Sequence, residues 1–273
     1  MYKRWIESYQ HITENYVNKK SILFIGSNNM HEINNLVNEY NEGIFIEALP
    51  NIFNQLKKKL DETNKLHNTK FIAVNNLVTS KKGQVYNFNV FNNNGASSSI
   101  YKPNDVNWKW KNVKLKDSIQ LTSTTINDIL DIYNWNNKKY DVVLDVQGAE
   151  LEVLKGFGEN NINNIEKLKV EISNKKFYEG GVLFKELNSY LQNKNFKLIS
   201  NNSHCDHCDA IYIKTENYEP KSYSQEQTKQ DLKVLDYFNN KKGGFYIELG
   251  AHDGIHISNT LLLEKEFGWT GIL

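Results

Sequence analysis

The sequence predicts an open α/β fold built on parallel strands, and three observations carry that expectation. First, an apolar run at residues 22–25 stops at Gly26, as a strand buried on both faces does. A polar loop, Ser27-Asn28-Asn29, follows, then a segment with Met30, Ile33, Leu36 and Val37 at helical spacing, and a second apolar strand at 44–46 ends in Glu47. Second, YDVVLDVQGAELEVLKG repeats that order. Residues 142–144 deliver Asp145, a turn holds Gln147, Gly148 and Glu150, and Leu151, Val153 and Leu154 open a helix. Third, residues 168–172 read as a strand with Glu171 near its end. Ligands of open α/β sheets lie beyond the carboxyl ends of the strands, so Glu47, Asp145 and Glu171 are expected on one edge.

The chemistry of the first unit points to a nucleoside. Glu47 follows Gly26 by 21 positions, close to the roughly 20-residue offset at which dinucleotide-type folds set a carboxylate on ribose hydroxyls. A carboxylate accepts hydrogen bonds from both vicinal hydroxyls, and unpaired N–H groups at the start of the next helix can hold an anionic group. A strand that merely reaches solvent also ends in Glu, so the spacing alone leaves both readings open.

The other elements follow in order. Trp5, Ile6, Tyr9, Ile12, Tyr16 and Val17 predict an amphipathic packing helix over 4–18. Asn51 is expected to cap a helix whose apolar face is Ile52, Phe53, Leu56 and Leu60. A strand at 71–74 ends in Asn75-Asn76, where an amide suits a base edge or simply a turn. Residues 84–91 alternate as a strand, NNNGASSSI reads as a surface loop in preference to a lid, and 111–121 is a candidate antiparallel strand. Thr125 and Asp128 have capping-box spacing. A helix at 182–191 and strands at 196–199 and 210–213 close the region. Between the last two strands, His204, Cys205, Asp206, His207, Cys208 and Asp209 crowd together. Adjacent side chains point apart and no second cluster exists, so the reading is a hairpin loop and no metal is expected.

Composition excludes several classes. Charge is balanced, 33 basic against 32 acidic residues without a long run of one sign, so nothing calls for nucleic acid. No apolar run approaches the roughly 20 residues that cross a bilayer, and MYKRWIESYQ lacks the core of a signal peptide. Two cysteines make no disulfide framework. The expectation is a soluble, cytoplasmic protein without a membrane partner.

With these residues in place, positions 22 to about 214 resemble the FkbM-type family of S-adenosylmethionine-dependent methyltransferases. The matching pieces are FIEALPNIFNQLKKKL, NNNGASSSI, TTINDIL, VEIS, DAIYIK and, most specific, DVQGAELEVLKG. The resemblance implies a Rossmann-like class I methyltransferase fold, a seven-stranded, mostly parallel sheet with helices on both faces and a last antiparallel strand. It implies S-adenosyl-L-methionine as cofactor, with Gly26 and Asn28 along its methionine part and Glu47 on the ribose. Together with Ser27 in the same loop and Asn75 at the third strand end, these are the candidate cofactor contacts. Members usually methylate hydroxyls of sugars or secondary metabolites, so the expected activity is O-methylation of a glycan or small-molecule acceptor. Asp145, Glu150 and Glu171 are the candidate catalytic bases.

A second resemblance to the same family covers the end of the chain. GGFYIELGAHDGIHISNTLLLEKEFGWTGIL repeats the opening strand, loop and helix. The expected division is a methyltransferase domain at 1–215, a linker and helix at 216–240, and the truncated start of a second domain at 241–273. The family's loop pattern is Gly-Ala-Asn-Asp-Gly. The second copy keeps Gly250, Ala251, Asp253 and Gly254 and has His252 for Asn; the first keeps Gly26 and Asn28 but has Ser27, Asn29 and Met30. Met30 carries a side chain where glycine lets backbone approach a ligand. That departure motivates the alternative of a methyltransferase fold kept as a binding or assembly module. A nicotinamide-dependent oxidoreductase, the third reading, lacks its glycine-rich fingerprint.

Overall fold

The computed structural model describes residues 20–30, 33–201, 206–217, 220, 222–224, 229–251 and 253–273; the expected helix over 4–18, His204, Cys205 and His252 lie outside them. Two compact units divide the chain, residues 1–217 and 218–273.

The strands of the first unit are β1 (Lys20–Ile25), β2 (Tyr40–Glu47), β3 (Lys70–Asn75), β4 (Leu77–Val78), β5 (Val85–Phe91), β6 (Leu115–Thr124), β7 (Tyr140–Leu144), β8 (Ile165–Ser173), β9 (Phe196–Asn201) and β10 (His207–Lys214). Seven form one sheet in the order β3-β2-β1-β7-β8-β10-β9. Its ladders are parallel except those that β10 makes with β8 and β9. This is the Rossmann-like, mostly parallel sheet with a last antiparallel strand that the sequence predicts. β4, β6 and β5 form a separate three-stranded sheet.

Alternation decides which face each strand side chain serves. Leu23 and Ile25 of β1, Ile44 and Ile46 of β2, Val142 and Leu144 of β7 and Leu168 and Val170 of β8 share the main core, while Ile22, Phe45 and Phe71 bury against the other face. Helices α1 (Ile33–Leu36) and α2 (Pro50–His67) supply Ile33, Leu56 and Leu60 to that second face. Helices α3 (Ile126–Ile132), α4 (Glu150–Lys155), α5 (Gly158–Ile162) and α6 (Phe184–Asn193) cover the first. Fully burying one such aliphatic side chain contributes roughly 1.5–3 kcal/mol, so both faces specify the strand register.

Local signals fared unevenly. Thr125 caps α3 through the expected box: its hydroxyl accepts from the Asp128 N–H at 3.1 Å and its own N–H donates to the Asp128 carboxylate at 3.4 Å. Asn51 is not a cap. The helix begins one residue earlier at Pro50, with Leu49 at the cap position and no side-chain cap bond, because proline is pre-set for the first turn and brings no orphan N–H. α1 is a single turn rather than the longer helix the spacing suggests, so no helix dipole is available there to hold an anion. His207, Cys208 and Asp209 belong to β10, not to a hairpin loop.

In the second unit, α7 (Gln230–Tyr237), β11 (Phe245–Ile247), α8 (Leu261–Phe267) and β12 (Thr270–Ile272) make a parallel strand pair with helices. Leu235, Leu262, Leu263 and Trp269 form its small core. Its loop glycines Gly250 and Gly254 take φ +80° and +73°, matching Gly26 at +79° and Met30 at +48° in the first unit. Among the described residues no helix is long and apolar enough to cross a membrane.

Candidate active site

Strand order reverses between β1 and β7, and the crevice of an open α/β sheet lies at such a switch point. The loops leaving the strands are stitched together there. Asp145 N–H donates to the Ile25 carbonyl at 3.0 Å, and the N–H groups of Gly26 and Ser27 both donate to the Ile46 carbonyl at 3.0 Å. Gly26 is the residue that permits this: a Cβ at that position would stand 1.7 Å from the Asp145 carbonyl oxygen.

Glu47, at the tip of β2, is 7% exposed. Its carboxylate accepts from Leu49 N–H at 2.8 Å and Asn28 N–H at 2.9 Å, which fixes the acid and leaves its remaining lone pairs for a ligand. Burial pushes its pKa up, and those two N–H bonds oppose the rise. Glu47, Gly26, Asn28 and Asp145 border one cleft of about 120 Å³, whose apolar wall includes Leu77, Val78, Phe88 and Ile100.

Not every predicted contact borders this cleft. Ser27 is buried and its hydroxyl donates to the Phe24 carbonyl at 3.0 Å. The Asn75 amide donates to the carbonyls of Glu47 and Ala48 at 2.8 and 3.1 Å, and its neighbour Asn76 borders the cleft instead. Both side chains hold the loops that carry the site. Met30 keeps the left-handed backbone of the glycine it replaces and turns its side chain into the second core, 5% exposed.

The three candidate bases occupy different environments. Asp145 is exposed toward the cleft, yet enough protein surrounds it that desolvation raises its pKa, with the Gln147 amide opposing. Gln147 Nε2 donates to Asp145 at 2.6 Å and to Glu171 at 2.8 Å, bridging the two acids. Glu171, well shielded, is raised well above the usual range by burial and then by Asp145. Its other oxygen lies 2.9 Å from His207 Nε2, and His207 Nδ1 lies 2.7 Å from the Ser173 hydroxyl. Glu150 is 3% exposed and accepts from the N–H groups of Val146 and Gly148 at 3.3 and 3.0 Å. It braces the turn and does not border the cleft.

Burial pushes the Glu150 carboxyl up to about 8. A carboxyl whose folded pKa is raised gives stability that is complete below its unfolded pKa and is lost as pH rises through the folded value. As pH rises from about 4.5 to 8, ionising Glu150 is therefore expected to cost the fold a total on the order of 5 kcal/mol. Urea unfolding of Glu150→Gln should show a flatter stability profile than the parent over that window; parallel profiles would rule the assignment out.

Side chains from distant loops complete the cluster. The Tyr178 hydroxyl donates within 2.8 Å of Gln147 Oε1, Ser99 Oγ donates to the Gln147 carbonyl at 2.8 Å, and Gln147 itself sits at φ +55°. Gly95, Ala96 and Ser98 roof the cleft, so NNNGASSSI is anchored rather than a free surface loop. Trp110 and Phe177 pack on His207 with ring centroids 5.1 and 5.4 Å apart, and Trp108 stacks on Phe91 at 5.2 Å. The run NWKWK carries two tryptophans within three residues in a polar loop, a signal for buried aromatic contact that was available in the sequence.

A cleft at the switch point, flanked by an acid on β2 and an acid after β7, defines a Rossmann-like domain of the ligand-binding type. The chain belongs to the FkbM methyltransferase family: the Methyltransferase FkbM domain matches residues 25–198. No curated protein matches the chain. Similar solved structures include the methyltransferase FkbM from Methylobacillus flagellatus, 12% identical over 72% of this chain and 44% of that one, TM-score 0.45. Magnesium protoporphyrin IX methyltransferase from Synechocystis with bound SAM is 9% identical over 78% of this chain and 79% of that one, TM-score 0.40. An S-adenosylmethionine-dependent methyltransferase from Clostridium acetobutylicum is 9% identical over 78% and 92%, TM-score 0.40.

Proposed function

We propose that the first unit binds S-adenosyl-L-methionine and methylates a hydroxyl group of a sugar or small metabolite. One observation carries the reading: the same cleft is bordered by a buried acid on β2 and an exposed acid after β7. Glu47 is placed to accept from ribose hydroxyls, Leu77, Val78, Phe88 and Ile100 to enclose a base, and Gly26 and Asn28 to border the amino-acid part. The donor supplies an already activated methyl group, so the protein's work is alignment and proton removal, and alignment alone can supply several kcal/mol.

Asp145 is the acid that faces the cleft, and it takes the hydroxyl proton. Its raised pKa makes its carboxylate a stronger base than an ordinary aspartate. Gln147 fixes its orientation, and Glu171 with His207 lies behind that amide. Asp145→Asn is expected to lower methyl transfer about 10²–10⁴-fold, the usual contribution of a general base, with unchanged circular dichroism and retained binding of S-adenosylhomocysteine. Full activity would remove Asp145 from the mechanism.

The alternative, a module that keeps the fold without catalysis, draws support from Ser27, whose hydroxyl is spent on the Phe24 carbonyl at 3.0 Å. Thermal shift separates the readings: stabilisation by S-adenosylhomocysteine alone favours the enzyme, by NAD alone an oxidoreductase, by neither the module.

A further inference from the structure

At the opposite edge of the large sheet, where β7 and β8 begin and β10 ends, lies a second hollow of about 360 Å³. Its lining is polar and includes Lys139, Asn163, Asn195, Lys214, Thr215 and Glu216. The unusual member is Lys214, only 3% exposed. Its ammonium donates to Asn163 Oδ1 at 3.0 Å and to the Lys194 carbonyl at 2.8 Å, and stands 4.1 Å from the centre of the Phe196 ring. These partners are all neutral, and among the described residues no carboxylate lies within ion-pair distance of it. Buried charges are ordinarily paired with an opposite charge, and an ammonium carries three N–H donors, of which two are used here.

The neighbouring charges do not supply the missing partner. Lys139 lines the same hollow, donating to the Asn163 carbonyl at 3.2 Å, and Glu216 stands 3.9 Å from Lys139 and attracts Lys214 only from beyond ion-pair distance, while 69% of its side chain stays exposed. Glu159 is engaged by Lys194. Two ammonium groups therefore face one polar hollow with a single loosely held carboxylate. We propose that this hollow is an anion site, in which a phosphate group is held by the ammonium groups of Lys214 and Lys139. Desolvation lowers the Lys214 pKa to about 8 against the opposing pull of Glu216, which agrees with a site short of negative charge. The hollow is larger than a phosphate ion needs, leaving space for a small molecule that carries the group. Nothing in this site depends on methyl transfer.

The test uses the full chain with inorganic phosphate, against chloride at matched ionic strength. Calorimetry should show saturable binding, and ¹⁵N detection of the lysine side chains should show the Lys214 midpoint moving up when phosphate is added, because a bound anion favours the charged amine. Lys139→Gln, at an exposed position that the fold tolerates, should weaken binding by about tenfold or more, the loss expected of one charged hydrogen bond. Lys214→Met should do the same, and if it unfolds, the Lys139 variant and the midpoint shift still decide. Ribose 5-phosphate binding tighter than phosphate identifies a phosphomonoester as the ligand; equal binding identifies the free ion. No binding beyond chloride, a static Lys214 midpoint, or undiminished binding by Lys139→Gln would overturn the proposal.

Discussion

Gly26→Ala is expected to remove a large share of the first unit's folding stability. Two costs combine. A left-handed φ of +79° charges an alanine about 1–2 kcal/mol. The larger cost is steric, since the new methyl would overlap the Asp145 carbonyl oxygen at 1.7 Å and its carbon at 2.8 Å. Both belong to backbone, so no rotamer change relieves the overlap, and β1 must separate from β7 at the point where Asp145 N–H meets the Ile25 carbonyl. A loss above about 4 kcal/mol is expected, against a total of about 5–15 kcal/mol for a typical domain. Gly83→Ala provides the control: its φ is +76° with nothing within 4 Å of the added carbon, so it should show the conformational cost alone. Urea unfolding that finds both variants equally destabilised would contradict the clash.

Glu47→Ala is expected to act on both binding and stability. The carboxylate satisfies two N–H groups, Asn28 at 2.9 Å and Leu49 at 2.8 Å, and removing it leaves those donors without their acceptor at about 1–3 kcal/mol each. If the carboxylate holds the ribose as proposed, affinity for S-adenosylhomocysteine should fall about 100-fold, the loss expected of two charged hydrogen bonds. Glu47→Gln should recover part of the stability through its single amide oxygen while remaining weak in binding. An alanine variant that binds as tightly as the parent would place the ribose elsewhere.

How far the sequence spoke for the structure depends on the range over which each feature is decided. β1, β2 and β7 were legible because strands buried on both faces read as uninterrupted apolar runs, and Gly26 because a chain that turns against a neighbouring backbone has one residue that fits. Strand ends marked by acids likewise told which edge gathers charge. Hydrogen-bond partners were not legible. Asn75 reads as a base contact until its amide is seen to serve the carbonyls of Glu47 and Ala48, and Ser27 as a loop contact until it is seen turned to Phe24. The bridge from Gln147 to Glu171 spans 24 residues and the bond from Tyr178 to Gln147 spans 31, distances over which local periodicity carries no information. His207 was concealed by its neighbours: the dense His, Cys and Asp lettering drew attention from the alternation of Cys208, Ala210 and Tyr212, which extends the strand upstream.

Met30 shows the same limit in the opposite direction. A side chain in place of glycine suggested a damaged loop, but the structure keeps the left-handed turn at φ +48° and buries the thioether with Ile22, Ile33 and Phe45. Strain of about 1–3 kcal/mol at such a residue is set against burial of an apolar side chain of similar worth.

The most direct measurement is a ¹H–¹⁵N correlation spectrum of the full chain titrated with S-adenosylhomocysteine. Saturable shifts are expected, centred on the amides of Gly26, Asn28, Leu49, Asn76, Asp145 and Gln147, with α6 and β9 unmoved. A folded chain whose spectrum stays unchanged at millimolar ligand, or whose shifts gather away from the cleft between Glu47 and Asp145, would contradict it.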